Sequence, residues 1–340
     1  MRSKQRIIAV IIITSAFVPC CMTGAGQSKS DYNHIMRGER EMSNADLRGA
    51  DLANARLEET NLSNANLRGA DLSGANLIGA NLRIASLEGA NLSEAQMNGA
   101  NLTWANLRGA NLKRANLSKA RLVGVDLSRS NLTDVRMKGA VLSKSNLGGA
   151  SLSGINLNGA DLMGADLSGT NLEGANLGGA ELSWAVLRKA ILKKANLAGA
   201  LMGHSDCSDA NLIWTNLEGA DLKEAGLRSA NLEGARMKGA DLYYADLGGA
   251  NLAESNLTDV KLQNANLTGA VLRGANCSGV NLQGANLNNA DCTDASLENA
   301  GLENAEFFNA NLYGARVPKK WKKYLEKQKV RNYEEIRWVN

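Results

Sequence analysis

The residues able to do covalent or metal chemistry are few, and their spacing serves it poorly. The chain has 340 residues and two histidines, His34 and His204, and no Ser-His-Asp set, metal cluster or phosphate-cradling Gly loop stands out. Of its five cysteines, Cys207, Cys277 and Cys292 occupy positions that are otherwise leucine, which reads as small buried hydrophobes rather than nucleophiles or ligands. Glycines recur so regularly that GxG matches arise by accident. Asn-Leu-Ser/Thr triplets at Asn61, Asn91 and Asn131 are by-products of the same regularity. Nothing here calls for a cofactor or a metal, and the chain reads as a non-enzyme. The chemistry left is recognition. Ile84, Trp104, Trp184, His204 and Tyr244 recur at multiples of 20 residues, and Arg108 and Arg188 follow the two tryptophans at four residues. Exposed Trp, Tyr and Arg are the usual anchors of protein interfaces, and aromatic platforms also suit sugars.

These residues are positioned by a period of five, seen in NLRGADLSGANLIGANLRIA, residues 66–85. From Met42 to Val317, every position whose number ends in 2 or 7 is Leu or a substitute such as Met97, Cys207 or Phe307, over 56 unbroken windows. Positions ending in 0 or 5 are nearly always Ala, with Val125, Ser130, Ile155, Thr170 and Val260 among the exceptions. In extended backbone, residues two apart face the same side, so Ala and Leu point inward and the Asn or Asp between them points out. The two residues that follow carry turn chemistry. Each window is thus a very short strand and a corner. Four corners close a square coil of 20 residues, and stacked coils pair at roughly 4.8 Å. The class is an all-β solenoid with a column of Leu inside. Cys207, Cys277 and Cys292 fall on three different faces of that square, which argues against disulfides.

The stretch ADLRGADLANARL, residues 45–57, and the windows after it resemble the pentapeptide-repeat family, A(D/N)LXX. The resemblance implies a right-handed quadrilateral β-helix. Four windows per coil then give about 14 coils and a rod about 65 Å long. Open solenoid ends must be covered. VPKKWKKYLEKQK, with Val317, Trp321, Tyr324 and Leu325 at helical spacing, predicts a C-terminal helical cap over 318–340. Tyr32–Met42 is the weaker N-terminal counterpart.

The N-terminus reads as an export signal over residues 1–25, followed by a linker or cap over 26–41 and the repeats over 42–317. Arg2, Lys4 and Arg6 precede an apolar run from Ile7 to Val18, and Thr23-Gly24-Ala25 offers a cleavage site. The run is too short to span a bilayer, so the mature chain has no span. Cys20 and Cys21 offer lipidation as the alternative, which would tether the rod. The expected location is the bacterial periplasm or cell envelope.

Net charge is +4 overall, but residues 31–315 carry 25 basic and 31 acidic residues. Some relatives in the family inhibit or protect a type II topoisomerase by mimicking DNA. A duplex of this length carries about 40 charges, so a balance of −6 over 31–315 argues against that role and against nucleic-acid partners. The preferred reading is an exported scaffold or protein-binding rod. Its partner is a protein, a glycan or an envelope component. A homodimer through the C-terminal cap is open, as the resemblance implies for some relatives. On the recognition edge the alternative is plain solvent pairing of the arginines with Asp46, Asp126, Asp166 and Asp206.

Overall fold

A computed structural model describes residues 31–34 and 37–340. The N-terminal stretch expected to direct export, with Cys20 and Cys21, lies outside the described residues. From residue 41 onward one local unit repeats. The outward residue forms a parallel bridge with the residue 20 positions on, as in Asp46↔Asn66, Asn66↔Ser86 and Asn286↔Glu306. The Leu amide donates to the next coil (Leu67 N–H to Ser86 O, 2.7 Å), and the outward amide donates to the previous coil's Ala carbonyl (Asn66 N–H to Ala45 O, 2.9 Å). The corner closes from Ala to Leu, as in Ala70 N–H to Leu67 O at 3.1 Å. Four such units make a coil, and the sides are named here by their outward residues, for example 101, 106, 111 and 116.

Every second corner residue from Asn44 to Gly314 has positive φ, as the third residue of a type II turn requires. Glycine is favoured there, yet Trp104, Trp184, His204 and Tyr244 all hold it at φ of 56–62°. Along the outward sides, amides form ladders: Asn131 donates to Asn111 and Asn111 to Asn91, each at 3.1 Å. Inside, the Leu and Ala positions form one continuous buried column, with Thr60, Thr170, Thr215 and Ser255 filling Ala positions. The Thr170 and Thr215 hydroxyls donate to Leu147 O and Leu192 O, so these buried polar groups are satisfied.

The ladder is interrupted once among the described residues. The bridges Asn131↔Ser151 and Arg136↔Asn156 are missing, while Val141↔Asp161 and Asn146↔Asp166 hold. The amides of Leu132, Asp134, Met137 and Gly139 make none of the inter-coil bonds formed elsewhere. Two adjacent sides of the square therefore part while the other two stay stitched. Bulk at the Ala positions accounts for it. Val125, Ser130 and Val135 in one coil face Ser145 and Ile155 in the next. Val260 beneath Val280 stays bridged through Lys261↔Asn281, so the seam needs the larger Val135–Ile155 stack.

The ends are closed by side chains. At the start, Asp46 has no preceding coil to bond, and Asp31 Oδ2 accepts its amide at 2.9 Å; Tyr32 packs on the core beside it. At the far end the sequence expectation of one helix is met only in part. Val317 belongs to strand β1 (Arg316–Pro318), which pairs in parallel with β2 (Arg337–Val339). Trp321 lies in a 3-10 turn, and helix α1 is only Lys322–Glu326. The reason lies in the last coil's carbonyls. Ala310 O and Ala315 O accept the Arg331 and Arg337 amides. Ala300 O accepts the Trp321 indole N–H at 3.1 Å and Ala305 O the Tyr324 hydroxyl at 2.6 Å. A longer helix would carry these two donors away from their acceptors.

Candidate functional site

The recognition edge is built on corners, where positive φ throws the side chain outward and along the rod. Each such side chain leans over the same corner of the next coil. A β-carbon added at Gly124 would meet the Trp104 ring at 2.2 Å, and one at Gly234 would meet the Trp214 ring at 2.5 Å. These are corners where glycine is needed because a neighbour's ring lies across it. Trp184 has His204 as its next-coil neighbour instead, and the two rings stack at 4.1 Å with planes 12° apart. His204 Nδ1 in turn faces Glu224 Oε2 at 3.4 Å. One coil further, Tyr244 meets Tyr243 edge-on at 4.4 Å, and Tyr243 hydrogen-bonding raises the Tyr244 phenol above its ordinary value. Trp184, His204, Glu224 and Tyr244 thus form a four-coil ladder.

The structure divides the sequence-derived edge in two. Ile84 and Trp104 are on adjacent coils, 50% and 54% exposed. Trp184 and Tyr244, 62% and 54% exposed, belong to the second cluster, which begins about 19 Å along the rod from Trp104 at one coil per 4.8 Å. Gly124, Lys144 and Gly164 separate them. The arginines go elsewhere. Arg188 is ion-paired with Asp206, and Arg228 and Arg48 pair likewise with Asp246 and Asp46. Arg108 has no ion-pair partner among the described residues. The wall behind the edge on the arginine side is therefore largely a row of solvent pairs, worth little each. For Asp206, burial raises the carboxyl pKa, but hydrogen bonds from Ser208 and the Arg188 guanidinium outweigh it and hold the group below its usual value.

The wall on the other side of the edge is where sequence reasoning missed residues. Met163, Leu201 and Tyr243 are exposed there, Leu201 at 46%. Leu201 stands at an outward position held by Asp161, Glu181, Asp221 and Asp241 in neighbouring coils. The signal was available: an apolar residue where the repeat asks for Asn or Asp. The thiols of the repeats lie inside the column, away from solvent. Cys207, Cys277 and Cys292 are free and buried, and burial pushes the first two up to about 12 and Cys292 upward as well. Among the described residues no group of three or more His, Cys, Asp or Glu is arranged to hold a metal ion.

Comparison with known families decides what this repeat is. The model for pentapeptide repeats matches eight times, over segments that run from residue 41 to 314. The chain is a pentapeptide-repeat protein. Its fold is the right-handed quadrilateral β-helix of that family. Among solved structures, this pentapeptide-repeat chain is similar to HetL of Nostoc sp. strain PCC 7120, a pentapeptide-repeat protein involved in the regulation of heterocyst differentiation. The two are 33% identical over 69% of this chain and 88% of that one, with a TM-score of 0.33. It is similar to Rfr23 of the cyanobacterium Cyanothece 51142 at 37% identity, over 28% of this chain and 62% of that one, with a TM-score of 0.26. QnrB1, a plasmid-mediated fluoroquinolone resistance protein, is 17% identical over 65% of this chain and 95% of that one, with a TM-score of 0.32. No curated protein matches the chain. No helix among the described residues is long and apolar enough to cross a membrane.

Proposed function

We propose that this pentapeptide-repeat protein is a non-enzymatic binding rod that presents its aromatic edge to a protein partner. The observation that carries the reading is the ladder Trp184–His204–Glu224–Tyr244, in which large rings are held in the open by a rigid β-helix. Preorganised aromatics at fixed spacing bind without losing rotamer freedom. The rod has about 14 coils at four windows each, and the segment 318–340 acts as its cap, supplying the donors that the last coil's carbonyls lack. The leader over residues 1–25 sends the rod out of the cytoplasm, free or tethered through Cys20 or Cys21. The QnrB1 likeness is no support for a DNA-mimicking role here, because the outward faces mix both signs of charge along their length.

Two experiments test the reading. Fractionation of the native host with an intact mass separates the locations: a mature form starting near Gly26 supports export, and full-length cytosolic protein overturns it. Capture of partners on immobilised rod, with Trp104→Ala plus Trp184→Ala as the control, tests the edge. Retention of every partner by the double variant overturns it.

A further inference from the structure

One side of the square, with outward residues 81, 101 and onward to 241, is electrically divided along its length. Its bounding corners are the residues two and three positions before and after each outward position, for example 98, 99, 103 and 104 around Asn101. From Ile78 to Lys144 this strip carries Arg83, Lys119, Arg121, Lys138 and Lys144 and no acid. None of the five has an ion-pair partner among the described residues. From Asn158 to Tyr244 the same strip carries Asp161, Glu181, Glu218, Asp221, Glu224 and Asp241 against Lys223 and Lys238. Asp161 and Glu181 have no cationic partner among the described residues either. The exposed apolar residues collect here too: Ile78, Ile84 and Trp104 in the basic half, Met163, Leu201 and Trp184 with the two tyrosines in the acidic half. The seam does not break the strip, since Val141↔Asp161 is bridged.

We infer that this strip binds a second copy of the chain, antiparallel, across a two-fold axis between the coils of Val141 and Asp161. The inference rests on the reading of the aromatic edge as a binding surface and names its partner. The stacking rule supplies the register. A two-fold in the plane of the interface, perpendicular to the rod, sets residue 121 against 181, 101 against 201 and 81 against 221. Arg121 then meets Glu181. Trp104, beside Asn101, meets His204 beside Leu201. Ile84 lies opposite Glu224, and Arg83 falls opposite Lys223, whose charge is already taken up by Asp221 and Asp241. The match continues outward, where Glu58 and Glu59 end the basic half opposite Lys238. A parallel pair would set each half against its like, so the charge pattern selects the antiparallel one. The strip is about 40 Å long at one coil per 4.8 Å and one strand wide. That is small for a stable dimer, so the association is salt-sensitive.

Sedimentation velocity of the full chain, over a concentration series at low and high salt, is the test. The expected result is a monomer–dimer equilibrium weakened about tenfold or more by salt. Arg121→Glu with Lys144→Glu reverses the charge of the basic half next to the axis, and Asp161→Lys with Glu181→Arg does the same to the acidic half. Each reversed chain, checked for an unchanged melting curve, should be monomeric alone, and a one-to-one mixture should restore the dimer. A wild type that stays monomeric at low salt overturns the inference, as do reversed chains that still dimerise or a mixture that fails to pair. Dimers that persist in the reversed chains but vanish on deletion of Tyr333–Asn340 would place the contact at the C-terminal segment. If the wild type is monomeric yet captures a foreign partner through Trp184, the dimer fails and the binding-rod reading stands.

Discussion

Cys207, Cys277 and Cys292 sit where Leu would, and their thiols ionise reluctantly because burial disfavours the charged form. In the folded chain at neutral pH none of the three should react with iodoacetamide, and all should react in denaturant; mass spectrometry of tryptic peptides reads this directly. Asp206 runs the other way. Its folded pKa is depressed, so the stability it contributes is present above the unfolded carboxylate value of about 3.9 and is lost as pH falls through the lower folded value. Melting temperature should be level from pH 8 to about 5 and fall below about 4, and Asp206→Asn should make that fall shallower. Gly124 illustrates a residue whose requirement comes from a neighbour. Gly124→Val must both take up positive φ and displace the Trp104 ring, and a loss of about 1–3 kcal/mol is expected. In the Trp104→Ala background the loss should shrink toward the backbone part alone, which a double-mutant cycle by urea unfolding measures.

At the scale of elements, the coil is stabilised by its neighbours, so the first and last coils and the seam are where it is weakest. Trp321→Phe keeps the ring and removes the donor to Ala300 O. An unsatisfied buried carbonyl costs about 1–3 kcal/mol, and the amides of the last coil should lose hydrogen-exchange protection before those of inner coils. The seam predicts fast exchange at Leu132, Asp134, Met137 and Gly139, whose inter-coil bonds are missing. Ile155→Ala restores the repeat's usual residue and should slow exchange there, whereas Leu182→Ala, deep in the column, should cost about 2–5 kcal/mol. No change in exchange at Met137 upon Ile155→Ala would remove side-chain bulk as the cause of the seam.

At the scale of the whole molecule, the rod's length and smoothness make distribution of surface charge the property that sets its company. The ends are closed by Asp31 and Tyr32 at one side and by Trp321, Tyr324 and the β1–β2 pair at the other. A chain ending at Pro318 would present an open β edge and the uncovered Leu column. Light scattering should show such a chain forming end-to-end or irregular aggregates at concentrations where the intact rod does not.

The period of five by itself determined the solenoid, its register and its inside, because Ala and Leu two apart can both face inward only in an extended segment that turns every five residues. It also determined the stacking in steps of 20, and with it the neighbour relation of Trp184 and His204. Three features needed the tertiary structure. Arg188 reaches Asp206 on the next coil, since a long side chain chooses among neighbours that no spacing ranks. The C-terminal helix is short because Trp321 and Tyr324 must serve fixed carbonyls, a constraint invisible in helical spacing. The seam at Leu132–Gly139 opens because bulk at the Ala positions accumulates over two adjoining coils, so its effect depends on what lies 20 residues away as much as on the residue itself.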